Sequence, residues 1–111
     1  MSQHDNQPQL RLLAQPKPVT VELLFRMFGT VVIPAEEVRA KLFRNLNTER
    51  FNRFLGTQRL PIPATTLDVS TKAPRFIEIH HLAAHIEQRA AIGDAELEKA
   101  LTQPQQDPEA T

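Results

Sequence analysis

At 111 residues the chain is long enough for one modest hydrophobic core and too short for two. It has no cysteine, which excludes disulfides, thiolate zinc sites and cysteine nucleophiles. The formal net charge is zero, yet the charge is segregated: residues 36–76 carry eight Lys/Arg against four Asp/Glu, and residues 94–111 carry five acids against one lysine.

Residues 1–19 are rich in Gln and Pro, with one small apolar cluster at Leu10, Leu12 and Leu13, and read as a flexible arm. TVELLFRMFG follows and reads as a helix capped by Thr20 and ended by Gly29, with Glu22 and Arg26 as its only exposed side chains. The β-branched TVVI reads as a short strand, and Pro34 suits the first turn of the next helix, where its missing N–H would have no partner anyway. In that helix Glu36 and Glu37 sit at the positive end of the dipole, and Ala35, Val38 and Leu42 share a face.

RNLN then makes a turn of about four residues, and two short helices joined in this way point to a helix-turn-helix. The second of them is capped by Asn47 or Thr48 and runs until Pro61 stops it past Leu60. Its wheel divides cleanly, with Phe51, Phe54, Leu55 and Gln58 inward and Glu49, Arg50, Asn52, Arg53, Gly56 and Thr57 outward. Gly56 within this helix costs about 1 kcal/mol relative to Ala, an acceptable cost where bare backbone approaches a partner.

Beyond Pro63 the period becomes two, through Thr65, Leu67 and Val69 and again through Ile77 and Ile79, which predicts a hairpin whose tip carries Lys72 and Arg75 around Pro74. HLAAHIEQRAAI returns to helical spacing through Leu82, Ile86 and Ala90, and DAELEKAL makes a separate short helix after Gly93. The division is therefore an arm at 1–19, a domain at 20–92, a short helix at 93–102 and a disordered tail at 103–111.

Helix, strand, helix, helix, hairpin wing, helix is the order of a small α+β winged helix-turn-helix domain, which places one helix in the DNA major groove and the wing on the adjacent backbone. Arg50 and Arg53 suit guanine edges or phosphates, and Asn52 suits adenine. Thr48, Thr57, Arg59, Lys72 and Arg75 suit phosphates. One short helix with a wing reads few base pairs, so a homodimer on a paired half-site is expected, with Leu97 and Leu101, or the apolar helix from Val21 to Phe28, as the contact. His81 and His85 stand four apart, but no firm third ligand accompanies them, and no metal or cofactor is expected. No nucleophile–base arrangement or phosphate loop can be drawn from spacing, so the chain reads as a non-enzyme with no small-molecule substrate.

VVIPAEEVRAKLF, RLPIP and IHHLAAHIEQR, taken in order, resemble the pyocin activator family of phage-related transcriptional regulators. The resemblance spans roughly residues 21–91 and rests on Val32, Ile33, Pro34, Val38, Phe43, Leu46, Phe51, Arg53, Pro61, Pro63, Lys72, Leu82, Ala83 and Ile86. Arg39 departs from it, standing where a small residue or cysteine is usual, as do Thr66 and Leu67, where a basic residue is usual. The resemblance implies an activator that binds double-stranded DNA upstream of phage or bacteriocin genes, and the acidic C-terminal tail offers a surface for a basic partner such as RNA polymerase. It implies a bacterial cytoplasmic, nucleoid-associated location, which agrees with the lack of a signal pattern or of a run of about 20 apolar residues. Two rival readings use the same fold: an excisionase-like architectural protein on phage DNA, and a phage-encoded interaction module that inhibits a host factor.

Overall fold

The computed structural model describes residues 15–103. In chain order the elements are α1 (Pro18–Phe28), β1 (Val32–Pro34), α2 (Ala35–Leu42), α3 (Thr48–Phe54), β2 (Phe76–Glu78) and α4 (Ile79–Leu101). The fold is a small α+β domain with four helices and two paired strands, in the order of a winged helix. Every element contributes to one core, built from Leu24, Ile33, Val38, Leu46, Phe51, Leu60, Ile62, Ile77, Ile79 and Leu82 among others.

α1 starts three residues earlier than its sequence predicts, with Lys17 rather than Thr20 at the cap position. Pro18 takes the first helical position, where its fixed φ is already helical and its missing N–H is not needed, so Thr20 lies inside the first turn and is not the cap. At the other end Gly29 adopts φ +79° and donates its N–H to Phe25 O at 2.7 Å, as expected of a left-handed C-terminal residue. Val21, Leu24 and Phe28 face the core, and Glu22 and Arg26 form an exposed 2.8 Å pair. These two are not alone outside, however: Val19, Leu23 and Met27 are each more than half exposed. The helix is apolar on two sides, and a core this small takes only one stripe.

β1 and β2 pair antiparallel, Val32 with Glu78, Ile33 with Ile77 and Pro34 with Phe76, and the central isoleucines are fully buried. Pro34 is the residue before α2 and not in its first turn; its extended backbone closes the strand and launches the helix. Ala35 N–H then donates to Arg75 O at 3.0 Å, so the base of the wing satisfies a free donor of α2. Ala35 and Val38 are buried, but Leu42 faces outward at 39% exposure, and Phe43 turns in against Phe51 instead, with ring centroids 5.3 Å apart.

The wing is narrower than the alternation of Thr65, Leu67 and Val69 predicts. Thr65 and Phe76 exchange two backbone hydrogen bonds of 2.7 Å, and the ladder ends there. In this register the next hydrogen-bonded pair would set Leu67 against Pro74, which has no N–H to give. Leu67 and Val69 are consequently 68% and 99% exposed. Ile79 is not a strand residue but the buried first residue of α4.

α4 is a single helix of 23 residues that runs through Gly93, so the separate helix expected at 93–102 is the outer half of this one. One glycine lowers helix propensity by about 1 kcal/mol but removes no hydrogen bond, and no proline accompanies it. Glu78 caps the helix by accepting His80 N–H at 3.1 Å. Ile79, Leu82 and Ala83 are buried, whereas every described residue from Gln88 onward is exposed, Leu97 and Leu101 included. No helix is long and apolar enough to cross a membrane among the described residues. The cluster Leu10, Leu12 and Leu13, and the tail from residue 104, lie outside them.

Candidate nucleic-acid interface

Asn47 fixes where α3 begins, because its side-chain oxygen accepts Arg50 N–H at 2.8 Å. Phe51 and Leu55 then anchor the helix, at 1% and 5% exposure, and leave Thr48, Glu49, Arg50, Asn52 and Arg53 exposed. The helix ends at Phe54, well short of Leu60. Gly56 is therefore not a helical residue: it adopts φ +85° in a tight loop and donates to Leu60 O at 2.9 Å. An added Cβ there would meet nothing closer than Ile62 O at 4.0 Å, so the glycine serves the backbone conformation rather than a close approach. Gln58, expected on the inward face, is exposed in this loop.

The loop folds Arg59 back over α3. Phe54 packs against the core on one side, as its spacing predicts, and the rest of its ring is the centre of a cationic cluster: the guanidinium carbons of Arg59, Arg50 and Arg53 lie 4.3, 5.8 and 5.9 Å from its centroid. Each such contact contributes about 0.5 to 1 kcal/mol at an exposed site and, more to the point, holds a long side chain in place over one ring. Among the described residues the only ion pair made by the cluster is Arg53 to Glu49 at 3.9 Å, with both side chains largely exposed, which is worth little. Sequence spacing brought Arg50 and Arg53 together; the turn at Gly56 adds Arg59.

Not every residue assigned to this face is free to act there. Arg75, expected at the wing tip as a phosphate contact, is half-buried and donates to Asn52 O at 3.1 Å and Leu55 O at 3.4 Å. It caps the last carbonyls of α3 and ties the wing to that helix. Thr57 donates its hydroxyl to Phe54 O at 2.6 Å, a second cap, and Thr48 donates to Glu36 Oε1 at 3.0 Å. Lys72 alone presents a charged amine at the tip, on a turn closed by Ala73 N–H to Ser70 O at 3.1 Å. Asn52 keeps its side chain exposed beside Arg53.

A network that sequence reading missed sets the angle between the two helices. Arg39 donates to both oxygens of Glu36, at 2.7 to 3.0 Å, and its other arm reaches Leu46 O at 2.8 Å in the turn. With Thr48 on the same carboxylate, α2, the turn and the start of α3 share one junction. The Arg39 hydrogen bond, with that of Thr48, holds the Glu36 carboxyl below its ordinary pKa, and Glu36 holds the Arg39 guanidinium above its own. The i,i+3 spacing of Glu36 and Arg39 was the available signal.

The histidines are divided. His80 bonds the capping carboxylate of Glu78 through Nδ1 at 2.6 Å, while His81 and His85 each bury an Nδ1 without a protein partner. No group of three or more His, Asp or Glu placed to hold an ion occurs among the described residues.

The arrangement is thus a short capped helix whose Arg50 and Arg53, with Arg59 from the loop that follows, gather over one ring, braced on one side by the wing and on the other by the α2 junction. A family model described as pyocin activator protein PrtN matches residues 20–92, which takes in α3, the wing and most of α4. The chain belongs to the pyocin activator family. No curated protein and no solved structure matches it. The pyocin activators are a regulatory family rather than an enzyme family, and the match covers both halves of the arginine cluster.

Proposed function

We propose that the protein is a sequence-specific double-stranded DNA-binding regulator that activates phage or bacteriocin genes. The observation that carries this reading is the Arg50, Arg53 and Arg59 cluster around Phe54, on a helix exposed along its outer face. α3 enters the major groove, where Arg50 and Arg53 reach guanine edges or phosphates and Asn52 reaches adenine. Lys72 meets the backbone on the wing side, and Thr48 braces the start of α3 through Glu36. Arg75 and Thr57 act from behind by holding the end of α3. The family's description as an activator supports positive control, with RNA polymerase as the partner that receives it.

α3 has seven residues, which is little for specificity, so two copies are proposed to bind a paired half-site. The exposed Leu97 and Leu101 on the outer half of α4, and the outer stripe of α1, are the surfaces available for that contact. Selection of bound fragments from the source genome tests the reading: one common sequence should be enriched in two copies at fixed spacing, whereas enrichment no better than random DNA overturns it. The same exposed stripe of Val19, Leu23 and Met27 favours a second reading, a protein-interaction module, for which the absence of salt-sensitive DNA affinity is the mark.

A further inference from the structure

A cleft of about 400 Å³ lies between the segments that enter and leave α3 and the middle of α4, with no residue of α3 itself in its lining. That volume suits a small ligand. Its floor is apolar, made by Phe43, Leu46 and Leu60, and its rim carries two guanidiniums, Arg59 and Arg89. No aspartate or glutamate lines it, and neither arginine has an ion pair among the described residues. The Arg59 charge is held at the edge by the Phe54 ring, 4.3 Å away. His85 completes a wall. Burial, with Arg89 nearby, keeps its imidazole below the usual pKa, so the ring is neutral at pH 7 and the positive charge of the cleft belongs to the arginines.

Unneutralised guanidiniums beside an apolar floor select for a ligand with an anionic head and an apolar body. The planar fork of arginine matches carboxylate and phosphate oxygens in pairs, and partial removal from water strengthens such bonds. We propose that this cleft binds a small organic anion, its carboxylate or phosphate head on Arg59 and Arg89 and its apolar body on Phe43, Leu46 and Leu60. Such a ligand touches chain on both sides of α3 and ties it to α4. The consequence for DNA affinity rests on the proposed function; the binding itself does not.

NMR of the uniformly ¹⁵N-labelled full chain tests it, with benzoate, phenyl phosphate and the neutral isostere benzamide as probes. Benzoate or phenyl phosphate should shift the amides of Asn45, Gln58, Arg59, Gln88 and Arg89 saturably, and benzamide should bind at least about tenfold more weakly. Arg89→Gln should weaken the anion about tenfold with the urea midpoint unchanged, since the side chain is exposed. It should also leave duplex affinity unchanged without ligand, so a failure of the DNA reading leaves this result standing. Equal binding of benzamide, wild-type affinity in Arg89→Gln, shifts centred on Arg50 and Arg53, or no saturation up to ~10 mM would each overturn the proposal.

Discussion

Phe51 and Phe54 lie three apart on one short helix, and the structure assigns them different work. Phe51 is 1% exposed and packs on Phe43, whereas Phe54 is half-buried beneath three guanidiniums. Truncating a buried phenylalanine to alanine costs about 3 to 5 kcal/mol through lost transfer energy and a residual cavity. A domain of this size has a total stability of about 5 to 15 kcal/mol, so Phe51→Ala removes about a fifth of it at the least. With a urea slope of roughly 2 kcal/mol per molar, its midpoint should fall by roughly 2 M. Phe54→Ala removes less buried area and leaves no closed cavity, so it should cost less, roughly 1 to 2 kcal/mol, a midpoint loss below about 1 M. Far-UV circular dichroism is the appropriate probe, because the chain has no tryptophan or tyrosine to report by fluorescence. Equal losses in the two variants would refute the claim that Phe54 is a surface platform, and a wild-type midpoint in Phe51→Ala would show α3 rotated about its axis.

Arg75→Gln should destabilise the domain by about 1 to 2 kcal/mol in urea titration, since it removes donors from Asn52 O and Leu55 O; no loss of stability would return Arg75 to the solvent. Gly56→Ala should cost about 1 to 2 kcal/mol although its Cβ has room, because only the positive φ opposes it, and a neutral result would mean the loop relaxes freely. His85 has a folded pKa below its ordinary 6.5, so the unfolded chain binds the proton first and the contribution of this group is present above that value. Acidification from pH 7 toward pH 5 should therefore destabilise the wild type more than His85→Gln, and parallel stability curves for the two would contradict the burial of this ring.

Much of the helical skeleton was legible because its signals are local. Gly29 ends α1 by its own φ, Asn47 caps α3 with its own side chain, and Phe51 declares the inner face by spacing alone. The misreadings came where partners distant in sequence decide the outcome. Leu67 and Val69 alternate like a strand, but the register set by Thr65 and Phe76 puts Leu67 against Pro74, and that register is invisible until the sheet exists. Arg75 looked like a free wing cation because only the folded chain brings Asn52 O and Leu55 O within its reach. Gly93 and Asp94 resemble a helix break, yet nothing there clashes with a continuing helix.

The candidate site was read in the same uneven way. Arg50, Asn52 and Arg53 follow from the wheel, whereas Arg59 reaches the cluster only because Gly56 turns the chain back. Arg39, a departure from the family pattern by its position, turns out to lock α2, the turn and α3 through Glu36 and Leu46. A charged residue there is a bracing element rather than a contact.

Fluorescence anisotropy of the full chain on a genome-selected duplex, across a range of salt and with Arg50→Ala/Arg53→Ala alongside, reaches the central claim most directly. Wild-type log K should fall linearly with log salt, and the double variant should lose the preference for the selected sequence, with a slope smaller by about one for each arginine that held a phosphate. Its urea midpoint should stay close to wild type, because both side chains are exposed. Unchanged affinity, slope and preference in the double variant would contradict α3 as the DNA-reading helix.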